Sequence, residues 1–130
     1  MVGGLWSIGS FADHITNLVG PSNVPTSISG TTMNNLIWQQ AAVVENSIGV
    51  NLDDAGIEEK YQPTITNLSL SQIYDTMGAM LNVQSAQIDD LKITNNKEQY
   101  KNAALSFKQM GMVMLEDLTN TMAFKKVWGV

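Results

Sequence analysis

Apolar positions recur every three to four residues along most of this chain, the spacing that gathers them on one side of an α-helix. Phe11, Ile15 and Leu18 form the first stripe. They predict a short helix from Ser10 to Val19, with Ser10 and Asp13 as a Ser-x-x-acid cap and Gly20–Pro21 as its stop. A loop with two glycines and two prolines follows, over residues 20–30. Thr31 or Thr32 then caps a helix predicted from Met33 to Ile48, and Gly49 ends it. Met33, Leu36, Ile37, Val44 and Ile48 share its apolar side, which Ala41 and Val43 widen. Gln40 is the one polar residue on that stripe.

An acidic connector spans Asn51 to Lys60. Ile57 and Tyr61 stand one helical turn apart, and Pro63 suits the first turn of a longer helix reaching about Leu81. Ile65, Leu68, Ile73, Met77 and Met80 recur along that helix, and Leu70, Tyr74 and Leu81 broaden the face. From residue 82 to 94 the pattern changes toward alternation, which predicts a protruding loop or a small hairpin with Asp89–Asp90 in its turn. Asn95 and Glu98 read as a capping box for the last helix. Tyr100, Ala104, Phe107, Met110 or Gly111, Met114 and Leu118 carry its stripe to about Asn120. Gly111 costs that helix about 1 kcal/mol against alanine, and a close crossing of another helix explains its presence. The end, Met122 to Val130, is expected to be an extended apolar and basic tail.

The expectation is a mainly α fold: a small up-down bundle of three main helices plus a short N-terminal helix. A length of 130 residues suits one domain, with a flexible segment at 1–9 and a tail at 121–130. Charged residues make up only 15% of the chain, against a typical share of about 25%, and the difference is taken up by neutral polar residues. With 44% apolar residues the chain does not have a disordered composition. No apolar run approaches the roughly 20 residues of a membrane-spanning helix, and the start lacks the basic lead of a signal peptide.

The net charge is −5, unevenly spread. Residues 1–96 hold two lysines against nine acids, whereas residues 97–130 hold five lysines against three. That polarity suits contacts between copies. There is no arginine, and no basic stripe interleaved with aromatics, which argues against nucleic-acid readout.

Chemistry finds little to work with. Without cysteine, thiolate catalysis and thiolate metal sites are excluded. One histidine, His14, excludes sites built from several. Asp53, Asp54, Glu58 and Glu59 form the only dense acidic cluster, but not at calcium-loop spacing, and a solvated connector explains them. No nucleophile elbow or phosphate-cradling glycine loop occurs. No catalytic, metal-binding or cofactor-binding residue is therefore assigned, and no cofactor is expected. Met77, Met80, Met110 and Met114 lie on helix stripes and read as core filling. Met112, Met122, Trp6 and Trp128 are candidates for exposed contact area.

The run from Ile57 to Leu81, IEEKYQPTITNLSLSQIYDTMGAML, resembles the head–tail connector (adaptor, or head-completion) proteins of tailed viruses. An acidic residue, a Tyr-x-Pro lead-in to a long helix, a linker, a further helix and a basic-aromatic end at Ala123 to Gly129 carry the resemblance, loosely over residues 30–130. It implies a structural protein of the virion neck, assembled in the host cytoplasm. Roughly a dozen copies would form a ring between portal and tail, helping to seal the DNA exit and offering a platform for the tail or a stopper protein. Packaged DNA would pass through the channel without sequence-specific contact, and no membrane or enzymatic step is involved. The interface would draw on Leu5 and Trp6, on Ile88, Leu91 and Ile93, and on Phe124, Lys125, Lys126, Val127 and Trp128. The alternatives are a stopper or tail-completion protein and a small monomeric protein-binding module. An enzyme would require the carboxylates of 53–59 to converge with His14 in a pocket.

Overall fold

The structure, a computed structural model, describes residues 4–20, 24, 28, 30–53, 55–84 and 90–128; side chains of 81–96 and 121–128 lie outside the description. It is mainly helical: α1 (Ile8–Val19), α2 (Thr31–Ile48), a 3-10 turn at Glu59–Tyr61, α3 (Gln62–Gln84) and α4 (Asp90–Trp128). Among the described residues there is no strand, only one isolated bridge between Trp6 and Ile57.

The helix ends follow local chemistry. α1 begins earlier than the sequence suggests, because Ser7 and not Ser10 is its cap: the Ser10 amide donates to Ser7 Oγ at 3.2 Å. Gly20 ends it, with its amide on Thr16 O at 2.9 Å. α2 ends at Gly49, which takes the left-handed conformation (φ 81°) and returns its amide to Glu45 O. Glu45 then fixes the exit of the chain by accepting the Leu52 amide at 3.0 Å.

Phe11 and Ile15 of α1, Met33, Ile37, Ala41 and Val44 of α2, and Ile65, Leu68 and Ile73 of α3 make the core, joined by Leu115 of α4. Gln40 is buried in line with its place on the α2 stripe, whereas Leu18 and Val43 stay exposed. α3 is the central element. From Tyr61 to Ile73 every residue except Pro63 and Gln72 is buried, including Thr64, Thr66, Asn67, Ser69 and Ser71. These small side chains let neighbouring helices approach on all sides.

α3 and α4 pack antiparallel along most of their length. Gly78 lies by Tyr100, Tyr74 stacks on Phe107 (centroids 5.7 Å apart), Leu68 meets Gly111, and Asn67 Nδ2 reaches Met114 Sδ at 3.4 Å. The same register brings Leu118 beside Pro63 and Thr64. The rest of α4, from Leu118 to Trp128, therefore runs on past the start of α3 by about 15 Å at ~1.5 Å per residue.

Two segments expected to be irregular are helical over their described residues. Of the hairpin or loop expected over 82–94, both flanks are helical: α3 continues through Gln84 and α4 starts at Asp90, and 85–89 lie outside the described residues. Asp90 stands in the first turn of α4, where a carboxylate suits the positive helix end, and Asn95 lies inside the helix rather than capping it. The extended tail expected after Thr121 is also a helix, because nothing from Met122 to Trp128 is a glycine or proline that would stop it.

Candidate interaction surfaces

The N-terminal segment, expected to be flexible, is tied to its own domain. Trp6 and Ile57 exchange two backbone hydrogen bonds, at 2.9 and 2.7 Å. Gln62 Nε2 holds both strands of this contact, donating to Gly4 O at 2.8 Å and Ile57 O at 3.0 Å. The Trp6 ring meets Phe11 edge-on and leans on His14, each at 5.0 Å between centroids. Trp6 is thus half-buried on its own core, while Leu5 remains 66% exposed over Gly56. No sequence pattern had singled out Gln62; its isolated amide beside Pro63 gives no periodic signal.

Of the other expected interface residues, Ile88 lies outside the described residues. Leu91 and Ile93 belong to the first turns of α4 and not to a loop. Phe124, Lys125, Lys126, Val127 and Trp128 belong to its last turns, so that end is presented as a helix and not as an extended clasp.

His14, Trp6, Glu59, Gln62 and Thr66 line a cleft of about 330 Å3. Among the described residues, Glu59 is the only member of the acidic connector to reach it, and no ion pair joins it to His14. Glu58 pairs instead with Lys60 at 3.6 Å, both exposed, and Asp53 Oδ1 accepts the Ala55 amide to close a turn. Among the described residues no three His, Cys, Asp or Glu side chains gather in a metal-holding group. A wider polar cleft of about 680 Å3 separates α1 from α2, with Ser7, Ser10, Asp13, Thr16 and Asn34 on its walls.

The more informative surface is the outward side of α4. Leu105, Met110, Met112 and Val113 are each about half exposed within nine residues. Met112 was expected there from its sequence position; Met110 was expected in the core, but it lies off the buried line of Ala104, Gly111 and Leu115. Leu105 and Val113 were not singled out. Their signal was the seven- to eight-residue spacing from Leu105 to Met112 and Val113, on the side opposite the Tyr100–Phe107–Leu118 stripe. Trp38 and Val43 of α2 are each 40% exposed, but five positions apart they lie on different sides of the helix.

Comparison with protein-family models, with curated proteins and with solved structures gives no match to this chain. Among the described residues no helix is long and apolar enough to cross a membrane.

Proposed function

We propose that this chain is a structural protein of a viral neck, a head–tail connector that forms a ring of roughly a dozen copies between portal and tail. The observation that carries the reading is the Ile57–Leu81 run and the form it takes. Tyr61 is buried at the end of a 3-10 turn, Pro63 sits in the first turn of α3, and α4 returns antiparallel and outruns α3 at the basic-aromatic end. A helix that outruns α3 while carrying Phe124, Lys125, Lys126 and Trp128 is suited to a neighbouring subunit or a portal groove. In this reading no chemistry is asked of the protein, and DNA passes the assembled ring without base-specific contact. A stopper or tail-completion protein would use the same surfaces.

The test is assembly. Light scattering after gel filtration, with negative-stain imaging of any large species, should show closed rings of the full chain, alone or on addition of a portal ring. Ending the chain at Thr121 should cost only the helical signal of the last turns of α4, leave the remaining fold intact and abolish those rings. Rings that survive the cut would remove α4's end from the interface. Failure to assemble even with portal present would sink the connector reading.

One observation favours a second reading, a monomeric protein-binding module: Trp6 covers its own core and not a neighbour. The module then binds through α2 and α4, and the full chain stays at 14.2 kDa at every concentration.

A further inference from the structure

The outward face of α4 is built from Glu98, Lys101, Leu105, Gln109, Met112 and Glu116, a succession of three- and four-residue steps. All six are exposed. At 3.6 residues per turn they form one continuous line, with Val113 at its edge. The line has a sense. After Glu98 it is basic at Lys101, apolar at Leu105 and Met112, and acidic at Glu116. Among the described residues neither Lys101 nor Glu116 makes an ion pair.

We propose that this face pairs with the same face of a second copy, antiparallel, about a two-fold axis near Lys108 and Gln109. Reversal of the line matches it to itself. Lys101 of each copy faces Glu116 of the other, and Leu105 of each faces Met112 of the other, so every favourable contact occurs twice. In a parallel pairing Lys101 would oppose Lys101, and Glu116 would oppose Glu116. The two Lys101–Glu116 pairs thus favour this direction over the parallel one and outweigh the approach of the two exposed Lys108 side chains near the axis. The face also has a place for the incoming side chain. Met112, Val113, Leu115 and Glu116 line a cleft of about 510 Å3 against Ser47 of α2, and the antiparallel register delivers Leu105 of the second copy to it.

Such a contact is isologous and closes on two chains, so it does not generate a ring. It goes beyond the neck reading and does not depend on it. One helix face on each side is a small interface, at the low end of those that hold proteins together, and a reversible dimer in the micromolar range or weaker follows.

Sedimentation equilibrium of the full chain, up to about 1 mM, should show a monomer–dimer equilibrium. K101E and E116K, made separately, each place like charges opposite one another twice and should weaken the dimer about tenfold or more. Mixed in equal amounts, these two variants regain both opposite-charge pairs and should form a heterodimer close to wild-type affinity. L105D with M112D should leave a monomer. All four positions are exposed, so circular dichroism should be unchanged. The chain has no cysteine, so engineered thiols report cleanly. L105C mixed with M112C should cross-link, and L105C alone should not. A wild-type chain that stays monomeric throughout, a dimer indifferent to L105D/M112D, a charge mixture that fails to recover, or cross-linking by L105C alone would each overturn the proposal.

Discussion

Gly111 of α4 lies so close to Leu68 of α3 that a β-carbon there would stand 2.7 Å from Leu68 Cδ2 and 2.9 Å from Leu68 Cγ. Comfortable carbon–carbon contacts begin near about 3.5 Å. The Leu68 amide nitrogen, 3.2 Å from the same point, bars the simple escape of rotating the leucine away. In an open helix, glycine to alanine gains about 1 kcal/mol. Overpacking costs about 1–3 kcal/mol. We therefore expect G111A to destabilise the fold by about 1–2 kcal/mol in urea unfolding despite its better helix propensity. L68A should cost less in the G111A background than in the wild type, because the two changes share one space. A stabilised G111A would mean that the helices separate at little cost.

Gln62 is the clasp of the N-terminal segment. Q62A removes two hydrogen bonds that span distant parts of the chain and leaves the Gly4 and Ile57 carbonyls without that donor. The expected loss is about 1–3 kcal/mol. Amide exchange at Trp6 and Ile57 should accelerate more than exchange within α3. Uniform acceleration across the molecule would indicate that the segment and the bundle open together.

Ser69 is fully buried, and among the described residues its hydroxyl has no hydrogen-bond partner. A buried hydroxyl without a partner costs roughly 1–3 kcal/mol. S69A removes that cost and opens a gap no larger than one oxygen atom. It should be neutral or stabilise the chain by up to about 1 kcal/mol, an unusual result for truncation at a core position. A loss above about 1 kcal/mol would show that the hydroxyl is satisfied in solution, for instance by a buried water.

The helices on either side of Ser69 were legible in the sequence, and the surroundings of Ser69 were not. Periodicity placed α1 to α4, and a mid-helix glycine announced the crossing at Leu68. But Thr64, Thr66, Asn67 and Ser71 carry the pattern of a wet face, and they are dry because α3 has neighbours on every side. One-sided amphipathicity cannot register a helix buried all round. The flanks of the stretch 82–94 were misread for a related reason. Its alternation came from a few residues, and in short runs a helix and a strand leave similar traces. The candidate surfaces were half legible: Met112 by position, Leu105 and Val113 only once α4 was oriented, and Gln62 not at all.

The left-handed Gly49 offers a clean check on the end of α2. At φ 81° a β-carbon is strained even though nothing stands within 4 Å of it. G49A should cost about 1 kcal/mol, and G49N, which tolerates this conformation better, should cost less. Equal losses for the two would point to a cause other than backbone geometry.

The bridge between Trp6 and Ile57 also sets an order of events in time. It joins residues 51 apart and gains only two backbone bonds directly, so the entropy of closing that loop is repaid late. The α3–α4 pair begins with nearer contacts, at Gly78 and Tyr100, and zips outward from them. We expect pulse-labelled exchange during refolding to protect α3 and α4 first and Trp6 and Ile57 last; the reverse order would refute this. Run backward, the same sequence makes the N-terminal bridge the first part of the molecule to let go. Heat or a protease would then find the chain's beginning while the rest is still folded.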